Sequence, residues 1–137
     1  MDAPLDFLSA HRARKTKVKS STASEMLDLI LHVLDEHKAE EIVTVDLSGK
    51  SPLADYMVVA TGRSSRQVQA LADYLARAVK EIAYAPKVEG MSQGDWVLLD
   101  TGDVIVHLFR PEVREFYNIE SMWGATPAAY PPSSGVS

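Results

Sequence analysis

The chain has 137 residues, 46% of them hydrophobic, which is enough for one compact domain with tails. It holds no Cys, so a disulfide scaffold, a thiol nucleophile and a cysteine metal site are excluded. Charge is split: residues 1–20 carry five basic residues against two acids, and the rest carries nine against seventeen, leaving a body of net −8. Such a body is repelled by phosphate, which argues against direct nucleic-acid binding by the folded domain and favours a basic protein partner.

Residues 1–20 lack a sustained apolar period and read as a disordered basic arm. No run of 18 apolar residues and no apolar signal core are present, so a soluble, unexported, cytoplasmic protein is expected. Asp2 and Asp6 weigh against a mitochondrial leader. Thr22-Ala23-Ser24-Glu25 fits a capping box, and Met26, Leu27, Ile30, Val33 and Leu34 then follow helical spacing to about Lys38. Two strands are expected next, Ile42–Leu47 and Asp55–Thr61, the second apolar on both faces and so interior to a sheet.

Thr61-Gly62-Arg63-Ser64-Ser65 joins strand to helix. It lacks the further glycines and the Lys-Ser/Thr of a phosphate loop, and Ser64 with Gln67 instead forms a second capping box. Leu71, Ala72, Leu75, Ala76, Val79 and Ile82 carry that helix to about Pro86. Lys87–Glu89 reads as a short strand parallel to Asp55–Thr61 across a β-α-β crossover.

Asp95–Asp100 and Asp103–Phe109 form a hairpin across Thr101-Gly102, which makes the sheet mixed. Both hairpin faces are apolar, so helices must cover one and something else the other. Pro111 starts a short helix through about Tyr117, with Glu112, Arg114 and Glu115 on a solvated face. Residues 124–137, with three prolines and three serines, read as a flexible tail, leaving 21–123 as the domain.

Chemistry is scarce along this chain. Ser64, Ser65, His107, Asp100 and Asp103 form no nucleophile elbow, and the turn after Thr61 is not followed by the Asp-x-Asp pair that two-metal nucleotidyl transfer needs. His107 reads as a partly buried histidine bonded to Asp or Tyr. Trp96 stands out as an interface anchor or a core aromatic, with Glu89, Asp95 and Asp100 near it in sequence.

Taken together, Val45-Asp46-Leu47-Ser48, Asp55-Tyr56, Ala60-Thr61-Gly62, Ser64-Ser65-Arg66, Glu89-Gly90, Asp95–Asp100, Gly102–His107, Tyr117, Glu120 and Trp123 resemble the ribosomal silencing factor (RsfS, Iojap-like) family over about Met26 to Trp123. The resemblance implies a small mixed-sheet α/β domain with helices on one face, similar in outline to nucleotidyltransferases but without their catalytic acids. It implies no enzyme activity and no cofactor. Family members bind uL14, the fourteenth protein of the large ribosomal subunit, block subunit joining sterically and lower translation when nutrients are scarce. They are often homodimeric when free.

Carried over, the resemblance makes Trp96 the central contact, surrounded by Glu89, Asp95, Leu98 and Asp100. Where many relatives have His after the Ser-Ser-Arg block, this chain has Gln67, which touches a local hydrogen bond only. A large-subunit assembly factor and a divergent nucleotidyltransferase are the alternative functions.

Overall fold

A computed structural model describes residues 22–123, so the N-terminal arm and the C-terminal tail expected from the sequence lie outside the described residues. The elements are α1 (Ala23–Glu36), β1 (Glu40–Asp46), β2 (Tyr56–Thr61), α2 (Ser65–Ile82), β3 (Lys87–Glu89), β4 (Trp96–Asp100), β5 (Val104–Phe109), α3 (Pro111–Tyr117) and a 3-10 helix (Ile119–Trp123). One five-stranded sheet has the order β1-β2-β5-β4-β3. Only the β2–β5 pair is parallel, so the fold is the mixed α/β sheet expected.

Local chemistry sets the helix starts. The Glu25 amide donates to Thr22 Oγ1, and the Thr22 amide donates to the Glu25 carboxylate, completing the capping box of α1. At α2 only half a box forms: the Gln67 amide donates to Ser64 Oγ, but the Gln67 side-chain oxygen accepts from the Arg63 amide instead of Ser64. Gly62 is required for packing, because a Cβ there would lie 2.9 Å from a Val68 methyl carbon.

Strands β2 and β3 run in the same direction, as the crossover predicts, yet they are not neighbours. The hairpin β4–β5 folds back between them, and β5 takes the place beside β2. The hairpin turn is also shifted by one residue from the expected Thr101-Gly102. Thr101 pairs with Val104 through its amide and through its hydroxyl, so Gly102-Asp103 form the connection, with Gly102 at φ 95°. The Gly102 amide donates to Asp100 Oδ1, which anchors Asp100 to the turn.

Period-two alternation sorts the sheet into two faces. Val58, Ala60, Val97, Leu99, Val104, Val106 and Leu108 are buried with Met26, Ile30, Leu34, Val68, Leu71, Leu75 and Val79 of α1 and α2. Each of these Val, Leu, Ile and Met side chains contributes about 1.5–3 kcal/mol on burial. Val43, Val45, Met57, Val59 and Phe109 form a second cluster on the other face, closed by Leu47 and Ala54 and by Val113 and Ile119 of the C-terminal segment. That segment is the second cover the apolar hairpin demanded. It reaches only part of the face, leaving Leu98 and Ile105 partly exposed.

One expectation fails outright. Arg114 is not on a solvated face: it is 8% exposed, against 3% for Glu120, its ion-pair partner. Arg114 Nε and Nη2 lie 3.1 and 3.0 Å from Glu120 Oε2, while Nη1 donates to the Glu41 carbonyl and to Thr61 Oγ1. The short helix α3 turns its Arg inward because this guanidinium ties it to the 3-10 helix, to β1 and to β2 at once.

Candidate functional site

Trp96, Leu98 and Asp100 form a row on the open side of β4, because alternate residues share a face. Register adds their neighbours. Glu89 of β3 sits opposite Leu98, and Lys87 opposite Asp100; on the other flank Phe109, His107 and Ile105 of β5 face Trp96, Leu98 and Asp100. Four of the five residues singled out from the sequence, Trp96, Glu89, Leu98 and Asp100, therefore share one surface. Lys87 places a cation beside Asp100, so the negative charge is concentrated toward Glu89.

Asp95 is placed apart from this row. Its backbone carbonyl accepts from the Arg110 amide, extending the ladder one step, and its Oδ1 accepts from Arg110 Nε at 3.0 Å. The Ser65 hydroxyl at the start of α2 lies 3.5 Å from the same oxygen. Proximity in sequence put Asp95 beside Trp96, whereas the pleat turns the two side chains to opposite sides. Arg110 also pairs with Glu112 at 2.7 Å, so Asp95 belongs to a charge network that braces the start of β4.

Trp96 is half-buried, with its ring held on three sides. Phe109 and Tyr117 lie with ring centroids 4.8 and 4.9 Å away, and His107 lies at 5.9 Å. The indole N–H donates to His107 Nδ1 at 3.0 Å. His107 thus bonds Trp96 and not the Asp or Tyr expected, and its burial pushes its pKa down to about 4. Tyr117, 51% exposed, continues the aromatic surface outward to Phe116, which is 78% exposed. Neither was legible as part of this surface, since only the return of α3 across the sheet brings Tyr117 to Trp96.

Among the described residues no group of three or more His, Asp or Glu is placed to hold a metal ion. No described helix is long and apolar enough to cross a membrane. Asp100 serves the hairpin turn by accepting from the Gly102 amide, and the Asp103 carbonyl ties that turn to the start of β2 by accepting from the Asp55 and Tyr56 amides. Ser64 and Ser65 lie at the start of α2, and His107 is on β5 bonded to Trp96, so the three do not form a nucleophile–base pair.

Comparison with known proteins matches residues 20–135 to the family described as "Ribosomal silencing factor during starvation". A ribosomal silencing factor from Zymomonas mobilis is 58% identical over 100 residues, covering 72% of this chain and 75% of that protein. "Mitochondrial assembly of ribosomal large subunit protein 1" from Mus musculus is 30% identical, over 71% of this chain and 44% of its own length. A crystal structure of a Chromobacterium violaceum protein, 40% identical, superposes with a TM-score of 0.74 over 77% of this chain and 88% of that one. The extent of the match and the mixed five-stranded sheet place this chain in the ribosomal silencing factor family.

Proposed function

We propose that this protein docks on the large ribosomal subunit through its protein uL14 and blocks subunit joining by occupancy alone, with no chemical step. The observation that carries the reading is the row Trp96-Leu98-Asp100 flanked by Glu89, which sets an aromatic anchor and an aliphatic side chain beside acidic charge where the C-terminal segment leaves the sheet face only partly covered. A buried aromatic at the centre of an interface supplies affinity, and acidic neighbours steer it toward a basic protein. The net charge of −8 outside the arm favours approach to the ribosome through a protein and not through RNA. Asp95 acts indirectly, by bracing the strand that presents Trp96. In the free protein the same apolar face is available to a second copy, as a homodimer.

Sedimentation of the full chain with separated subunits tests the reading. The expected result is comigration with large subunits and loss of joined ribosomes. Trp96→Ala should weaken docking by about 2 kcal/mol or more, roughly thirtyfold. Leu98→Asp, at another half-buried position of the same row, checks the surface independently if Trp96→Ala fails to fold. Absence of binding to mature large subunits overturns it.

The name of the mouse relative favours a second reading, assembly of the large subunit through the same surface. Depletion that leaves immature large particles, with joining of mature subunits unchanged, is the result that selects it.

A further inference from the structure

His107 carries one group that the fold leaves unused. Its Nδ1 accepts the indole N–H of Trp96 at 3.0 Å, and an indole nitrogen can only donate, so the imidazole proton sits on Nε2. Nε2 is at the end of the ring remote from the backbone, and side chains on a strand stand roughly perpendicular to the sheet, so it points away from β5. No described residue accepts from it. His107 is only 9% exposed, yet Nε2 is not sealed: among the described residues, the one side-chain polar atom shut from solvent without a partner is Glu120 Oε1. A lone hydrogen-bond donor therefore opens through a largely apolar surface.

Register places that donor in a line of three. Glu89 of β3 stands opposite Leu98 of β4, and Leu98 opposite His107 of β5, on the face that the C-terminal segment covers only in part. Neighbouring strands lie about 4.8 Å apart, so the Glu89 and His107 positions are about 10 Å from each other with Leu98 between them. Charge decides what each end can take. Glu89 attracts a cation. An ammonium or guanidinium has no acceptor to give Nε2–H, and a carboxylate would face Glu89 with only a neutral imidazole to receive it. An uncharged oxygen remains, and a protein surface carries one on every backbone carbonyl.

We infer that docking seats an uncharged carbonyl oxygen of the partner protein on His107 Nε2–H, with an apolar group over Leu98 and a Lys or Arg at Glu89. This rests on the docking reading and adds to it the chemistry that the partner must present. His107 is then a specificity residue. A basic surface without an acceptor at that spacing would leave a buried donor unbonded, which costs more than the bond itself contributes.

Long-range proton–nitrogen NMR of the isotope-labelled full chain, free and with isolated uL14, tests the inference. In the free chain the Nε2 proton should exchange with water; with uL14 it should become protected, while the Leu98 and Glu89 amides shift. His107→Asn keeps an oxygen for the Trp96 indole but no donor at the Nε2 position, and should weaken docking roughly three- to tenfold. His107→Gln restores a donor there and should recover most of that loss. An unchanged indole N–H resonance in both variants shows that Trp96 has kept its place. Docking with the Nε2 proton still exchanging freely overturns the inference and leaves the docking reading intact, as does a His107→Asn chain that docks like its parent. An imidazole that charges at higher pH in the complex than in the free chain marks a carboxylate acceptor and overturns the carbonyl assignment. Absence of any Leu98 or Glu89 shift removes the docking reading, and this inference with it.

Discussion

Trp96 gives its indole N–H to His107 Nδ1 at 3.0 Å, and this one bond decides how both side chains are used. Indole nitrogen can only donate, so Nδ1 must be the bare nitrogen and the imidazole must be neutral with its proton on Nε2. The indole N–H is thereby taken up inside the protein. What Trp96 offers a partner is ring surface, continued by Tyr117.

A pH dependence follows from the burial of His107, whose pKa falls from 6.5 to about 4. The unfolded chain takes up a proton near pH 6.5, the folded chain only near 4. Between those values protons favour unfolding, so the group's stabilising contribution is complete above pH 6.5 and drains away as pH falls toward 4. From pH 7 to 4.5 the loss from this group alone is roughly 2 kcal/mol. Urea unfolding across that range should show His107→Gln losing less stability than the parent chain by about that amount. Parallel slopes would mean that His107 is hydrated enough to titrate normally.

Salt and charge reversal probe the acidic side of the same face. Glu89 stands opposite Leu98, and Asp100 already has Lys87 across from it on β3. Removing Glu89 should therefore matter more than removing Asp100. Glu89→Lys is expected to slow association with the large subunit by about tenfold at low salt, with little change in dissociation, and the deficit should shrink at high ionic strength. Surface-plasmon kinetics at two salt concentrations separate the rates; an effect confined to dissociation would place Glu89 in direct contact instead of steering.

Much of this architecture was legible because local and tertiary signals agree. Thr22 and Glu25, the period of α1 and α2, and the doubly apolar β2 each state their role within a few residues. What was not legible depends on register and on distant segments. Gly102 turned out to be the first residue of the hairpin connection because the Thr101 hydroxyl takes over one ladder bond with Val104. Asp95 reads as a neighbour of Trp96 in the chain, yet the pleat sends it to Arg110. Arg114 sits in a run of charged residues on a short helix, and nothing nearby announces that Glu120, Thr61 and the Glu41 carbonyl, as many as 73 residues away, will enclose it.

That enclosed pair makes a sharp stability prediction. Arg114→Met strands the Glu120 carboxylate in a nearly dry site and should cost roughly 3–5 kcal/mol. Arg114→Met with Glu120→Leu removes both charges and should recover most of the loss. The comparison, made by denaturant unfolding, distinguishes an electrostatic clamp from simple packing: if the double variant is no better than the single one, the aliphatic stem of Arg114 is what holds α3 down.

Two glycines at positive φ offer the last test, because they differ in surroundings and not in backbone. Gly49 at φ 78° has nothing within 4 Å of an added Cβ, so Gly49→Ala should cost only the left-handed strain of about 1–2 kcal/mol. Gly90 at φ 90° adds a collision: a Cβ there would run into the Trp96 carbonyl oxygen. Backbone cannot yield as a side-chain tip does, so Gly90→Ala must push the start of β4 away from β3 and carry Trp96 with it. We expect about 3 kcal/mol or more of destabilisation, a shifted Trp96 fluorescence and weakened docking, whereas Gly49→Ala leaves fluorescence and docking unchanged. Equal costs for the two variants would show that β4 can slide to admit the methyl group. The strand presenting the anchor would then be less rigid than the Asp95–Arg110 brace implies.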